Sequence, residues 1–145
     1  MVTFHIKYIV MCVEVSNMYS DIDDHFNQLV CENEMKWRMI EPEEGKYDFS
    51  KADEIRDYAK ANNKKLRGHN FIWYRSNPTW FVNKTKAFKG EVGKTLLLEY
   101  IDKRVKTMME HYKNDVFVWD VVNEVLRGEI STAQLQNNDI FRTGD

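Results

Sequence analysis

An α/β fold with a parallel sheet is predicted by three features of this 145-residue chain. Runs rich in β-branched and aromatic residues alternate with helical patterns in the order β, α, β, α, β, α, β. That alternation specifies parallel strands joined by right-handed crossovers. The last run, Val116 to Glu124, stays largely apolar until its C-terminal end, as in a strand buried on both faces. Its polar ending, Asn123-Glu124, falls where β/α barrels carry their chemistry, because the βα-loops form that face. A complete eight-fold barrel needs roughly 200 to 250 residues or more. The chain therefore has enough for four β/α units, a partial (β/α)8 barrel forming one partial domain over residues 1–145.

Taken in order, Phe4 to Val15 reads as the first strand, with Ile6, Tyr8, Ile9, Val10 and Val13 supplying β propensity. This segment has no basic start and no small-residue cleavage site, so it is a poor signal peptide, and it is too short to cross a membrane. Ser16 to Phe26 offers capping residues and a short helix with Met18, Ile22 and Phe26 at spacings of four. Asp21, Asp23 and Asp24 form a solvated face. Asn27 to Cys31 is the second strand, delivering Glu32 at its end. The stretch from Glu32 to Phe49 reads as a long loop with turns at Pro42 and Gly45.

Ser50-Lys51-Ala52-Asp53 resembles a capping box, and Ala52, Ile55 and Ala59 form the buried stripe of the helix that follows. Lys64 to Ile72 is the third strand, carrying His69 and Trp73 at its top. Arg75 to Lys94 reads as another long loop. Leu97, Ile101, Val105, Met108 and Tyr112 then mark the clearest amphipathic helix, which leads into the fourth strand.

Hydrophobic residues at 43% and charged residues at 30% describe a globular chain able to bury a core without disulfides or metals. A net charge of −2 and a pI near 6.1 leave no basic stripe, which argues against nucleic acid as a partner. Aromatic residues reach 13%, and their flat rings suit either a core or the faces of sugars. Cys12 and Cys31 are expected to be buried free thiols, with a disulfide left open, and no Cys/His spacing makes a zinc site. No Gly-rich run precedes a helix, so a phosphate loop is discarded.

Three stretches carry a resemblance. Trp119-Asp120-Val121-Val122-Asn123-Glu124 resembles the acid/base strand of the family 10 glycoside hydrolases, the endo-1,4-β-xylanases. Glu32-Asn33-Glu34-Met35-Lys36-Trp37, followed by Glu41-Pro42, Gly45, Tyr47 and Phe49, resembles the motif after that family's second strand. Arg67-Gly68-His69-Asn70-Phe71-Ile72-Trp73, followed by Pro78 and Trp80, resembles its third. The likeness covers roughly residues 16 to 145 and only the first half of the family's catalytic domain. It departs at Met11 and Cys12, where a small pair is usual, at Val30 and Cys31, and at Tyr74, where the family commonly has His.

The resemblance implies retaining hydrolysis of β-1,4-xylosidic bonds, which needs an acid/base carboxyl and a nucleophilic carboxylate. Glu124 is implied as the acid/base, and burial at the end of an apolar strand would favour its protonated form. Asn123 is implied to bind the 2-hydroxyl of the sugar being cleaved. Glu32, Asn33 and Lys36 are implied to hold the next sugar on the non-reducing side, with His69 and Trp73 bracketing the cleavage site. Glu34 receives no substrate role and reads as half of an exposed charge pair with Lys36. The nucleophile belongs to the family's seventh strand, which this sequence does not include. No cofactor or metal is implied. The substrate is xylan or xylooligosaccharide, and exposed first and fourth strand edges would suit a homodimer. A half-barrel that binds xylan without cutting it, or a self-associating fragment, are the competing readings.

Overall fold

The computed structural model describes residues 10–14, 25–127 and 134–135. Four strands form one parallel sheet in sequence order: β1 (Val10–Val13), β2 (Gln28–Cys31), β3 (Lys65–Trp73) and β4 (Val116–Asn123). Between them run α1 (Trp37–Ile40), α2 (Ser50–Ala61), α3 (Thr79–Thr85) and α4 (Gly90–Tyr112). A two-residue pairing, β5 (Leu126–Arg127) with β6 (Gln134–Leu135), follows β4. The parallel sheet in unbroken order is what the β/α alternation predicted. Most of the helix expected over Ser16–Phe26 and the polar tail beyond Leu135 lie outside the described residues.

The core sits where α2 and α4 pack on the sheet. Ala52, Ile55 and Ala59 of α2 are all buried, as their spacing required, and Leu97, Met108 and Tyr112 of α4 are buried with Ile101 and Val105 packed against them. Leu29, Cys31, Leu66, Phe71 and Ile72 meet them from the strands. Gly68 has a steric reason: a Cβ there would lie 2.1 Å from the Trp119 ring. Its absence lets that ring stack on Phe71, with centroids 4.4 Å apart.

Five expectations need correction. The stretch from Glu32 to Phe49 contains α1, and the stretch from Arg75 to Lys94 contains α3 and the start of α4. Both hide helices because Trp37, Ile40 and Phe81 anchor short turns into the core, a tertiary contribution that periodicity over four to seven residues cannot report. Ser50 is the first helical residue rather than the cap, and the Asp48 carboxylate accepts its backbone N–H at 3.0 Å. Cys12 is exposed, while Cys31 is buried, and both are free thiols. Lys36 and Glu34 are both buried rather than an exposed pair.

The fifth correction concerns β4. Phe117, Val118, Val121 and Val122 are 41–59% exposed, so the strand is not buried on both faces. Among the described residues it is the sheet's outer strand, with β3 as its only ladder partner in that sheet.

Candidate active site

Trp73 and Asn123 end β3 and β4, Glu124 and the Glu32–Lys36 segment follow parallel strands, and His69 lies midway along β3. The ladder register accounts for their meeting. β3 and β4 pair His69 with Asp120 and Trp73 with Asn123, so the end of β4 is delivered beside Trp73. The Trp73 indole Nε1–H donates to Glu124 Oε2 at 3.0 Å. Lys36 Nζ stands 4.7 Å from the centroid of the Trp73 ring, a cation–π contact. One indole thus touches both the Glu32–Lys36 segment and the end of β4.

Glu124 adopts a φ of +51°, a left-handed conformation that Glu seldom takes. That turn ends the strand and presents the carboxylate beside Trp73. Arg75 Nε lies 4.0 Å from the same oxygen and donates at 2.7 Å to the Tyr74 hydroxyl. The desolvation expected of Glu124 is not found, since its side chain is 47% exposed. The exposure follows from β4's position at the sheet's edge.

The segment after β2 is a hydrogen-bonded chain. Lys36 Nζ donates to Asn33 Oδ1 at 2.9 Å, and Asn33 Nδ2 donates to Glu14 Oε1 at 2.7 Å. The Asn33 backbone N–H donates to Glu34 Oε2 at 3.0 Å. Desolvation, followed by the Arg38 charge, pulls the Lys36 ammonium below the usual lysine range, with Glu32 and Glu34 opposing. Glu32 anchors itself through its backbone N–H to Val13 O at 2.8 Å while its side chain stays exposed.

His69 faces Asp120, with Nδ1 and Oδ2 2.9 Å apart. A carboxylate only accepts, so the Nδ1 proton belongs to His69 and Nε2 is left as an acceptor, 3.4 Å from Asn70 Nδ2. The same Asp120 takes the Arg67 guanidinium, which donates from Nε at 3.0 Å and also from Nη2. Burial works against ionisation of Asp120, but the hydrogen bonds from Arg67 and His69 outweigh it and hold the carboxyl below the aspartate range.

The structure therefore joins Asn33, Lys36, Trp73 and Glu124 through direct contacts and places Asn123 beside Trp73 in register, whereas His69 contacts Asp120 and Asn70 rather than that cluster. Sequence reasoning missed Glu14, Arg67, Asp120 and Arg75. Asp120 had a signal: it is a lone charge within the apolar run of β4, and such a charge needs a partner. No group of His, Cys, Asp and Glu able to hold a metal occurs among the described residues.

Comparison with known proteins decides the family. The model for "Glycosyl hydrolase family 10" matches residues 4–142. The chain belongs to glycosyl hydrolase family 10. It is 36% identical over 137 residues to endo-1,4-beta-xylanase A of Caldicellulosiruptor saccharolyticus, covering 93% of this chain and 39% of that protein. Endo-1,4-beta-xylanase A of Halalkalibacterium halodurans is 41% identical over 111 residues, covering 70% of this chain and 28% of that one. The chain thus spans well under half the length of these relatives.

Among solved structures, the endo-1,4-beta-xylanase of Caldicellulosiruptor owensensis superposes with a TM-score of 0.76 at 32% identity, over 92% of this chain and 41% of that one. The intracellular xylanase of Thermoanaerobacterium saccharolyticum, solved as a mutant in complex with xylotetraose, gives 0.75 at 33% identity, over 91% and 43%. The four parallel strands with their helices are accordingly part of the family's β/α barrel.

Proposed function

We propose that this chain is a partial catalytic domain, residues 1–145, carrying the acid/base half of a retaining endo-1,4-β-xylanase site. The observation that supports the reading best is the Trp73–Glu124 hydrogen bond, with Lys36 over the same indole. It sets one carboxyl group beside an aromatic and polar surface suited to a sugar ring.

In this reading Glu124 protonates the departing glycosidic oxygen and then, as carboxylate, takes a proton from water. Its exposure leaves it open to the substrate and to that water. Asn123 binds the 2-hydroxyl of the sugar at the cleavage point, where a hydrogen bond gains strength as the transition state forms. Glu32, Asn33 and Lys36 hold the neighbouring sugar, and His69 and Trp73 flank the bond to be cut. His69 has Nε2 to offer, since the Asn70 contact to it is long. The nucleophilic carboxylate, required about 5 to 5.5 Å from the acid/base, belongs by resemblance to a seventh strand not included in this sequence. The relatives are named as hydrolases, so a binding-only half-barrel is not favoured. Two copies of the chain pairing along the exposed β4 edge would be compatible with this chemistry, and light scattering tests that association.

The functional test is xylotriose binding by calorimetry beside reducing-sugar release from xylan. Binding is expected, and Lys36→Ala should weaken it by about tenfold, the loss of one charge-assisted contact. With no nucleophile in this sequence the chain should show at most weak acid-assisted turnover, and Glu124→Ala should lower that turnover by about 10²- to 10⁴-fold, the span of general acid–base catalysis. A folded protein that ignores xylotriose, or turnover untouched by Glu124→Ala, would overturn the reading.

A further inference from the structure

Arg104 lies in the middle of α4 and is 1% exposed, yet it belongs to a residue type that rarely enters a core. Among the described residues no carboxylate hydrogen-bonds it. Its guanidinium donates instead to three backbone carbonyls: Nη2 to Met35 O at 2.7 Å and Asn70 O at 3.2 Å, and Nε to Phe71 O at 3.4 Å. Nη1 has no partner. Burial pushes the group down to about 9, with Glu41 opposing. A buried cation with one unmade hydrogen bond is a costly way to fill space, which an apolar side chain would do better.

The ladders show what two of the three carbonyls have in common. The β2–β3 pairing stops at Arg67, and the β3–β4 pairing is irregular between His69 and Ile72, so Asn70 and Phe71 have no register partner on either side. Irregularities of this kind re-aim side chains next to them, and they leave backbone groups for something else to satisfy. Here the flanking residues are His69 and Ile72, and Trp73 follows directly. The third carbonyl, Met35 O, precedes Lys36, whose ammonium stands over the Trp73 ring. One guanidinium therefore ties the segment bearing Lys36 to the irregular part of β3 from the side of α4.

We propose that Arg104 is a positioning residue for this site, a three-carbonyl clamp that fixes the separation between the Glu32–Lys36 sugar-holding segment and the His69–Trp73 strand. It touches no substrate. Its effect reaches the sugar through Lys36 and Trp73, and displacements near 1 Å at such groups are costly in affinity and rate. The inference rests on the proposed sugar-binding role for its consequence in function, but its geometric content does not.

The test uses the full chain with Arg104→Lys, which keeps the charge and loses the planar fork, Arg104→Gln as a second variant, and Ile55→Val as a core control on α2. Without ligand, the Trp73 indole N–H resonance should shift in the Arg104 variants and stay in place in Ile55→Val. With xylotriose, affinity should fall by about tenfold or more in Arg104→Lys and stay within about twofold of wild type in Ile55→Val. An unmoved Trp73 resonance in a folded Arg104 variant would overturn the clamp. So would equal losses of affinity in the variant and the control, or failure of both Arg104 variants to fold, which would make the residue purely structural. If wild type binds no xylotriose while the resonance shifts as expected, the functional reading falls and the clamp stands.

Discussion

β3 and β4 are neighbours in one sheet, and β4 is the more apolar in sequence, with six apolar residues of eight against four of nine, yet it is the less buried. β3 is paired on both sides, and its residues Leu66, Phe71 and Ile72 are at most 3% exposed. β4 is paired on one side, and Phe117, Val118, Val121 and Val122 remain open to solvent. The contrast teaches that an apolar strand sequence records the burial for which it was selected, whether or not the residues at hand provide it. In this chain, which covers 28–39% of the two xylanases compared above, β4 is more exposed than its own sequence would indicate.

Truncation should expose the difference in burial most sharply. Phe71→Ala removes a 3%-exposed ring stacked on Trp119 and should cost about 3–5 kcal/mol, whereas Phe117→Ala, from a 44%-exposed position, should cost about 1 kcal/mol or less. Urea unfolding of both variants checks this, and similar losses would mean β4 is covered in solution. A smaller effect is expected where the strands touch. Gly68→Ala places a methyl group against the Trp119 ring and should destabilise by about 1–3 kcal/mol, measured the same way. If it were neutral, the ring would be free to move out over the exposed edge.

The smallest effect sharpens the link through Asp120. Its carboxyl is held below the ordinary value of 3.8, so the stabilisation it supplies is present above that pH and is lost as the pH falls through the lower folded value. Wild type should therefore lose stability between about pH 4 and more acid conditions by a margin that Asp120→Asn lacks. Unfolding midpoints at about pH 6 and about pH 3 make the comparison. Equal pH dependence in both proteins would remove Asp120 from the account.

The chain's α/β alternation, its strand ends and the α2 and α4 stripes were legible because they rest on repeated periodicity, which many residues report together. The candidate site was legible through residues that follow the strands, Glu124 and Lys36 among them. What was not legible depends on register and on distant contacts. Asp120 acquires its role from the pairing with His69, and Arg104 from carbonyls 33 to 69 residues away. The helices α1 and α3 are too short for a period and are held by single aromatic anchors. The exposure of β4 could not be read at all, since it belongs to the sheet's outline rather than to the strand.

Cys12 stands at the top of β1 with its thiol exposed, among Glu14, Glu32, Glu34 and Lys36. Desolvation first, then Glu32, raises its pKa, while Lys36 works the other way. Only the thiolate is nucleophilic, so this accessible cysteine should alkylate slowly at neutral pH. Its alkylation rate becomes a chemical electrometer: changes in charge on the Glu32–Lys36 segment are written into how fast a small iodoacetamide reacts, with no substrate and no turnover required.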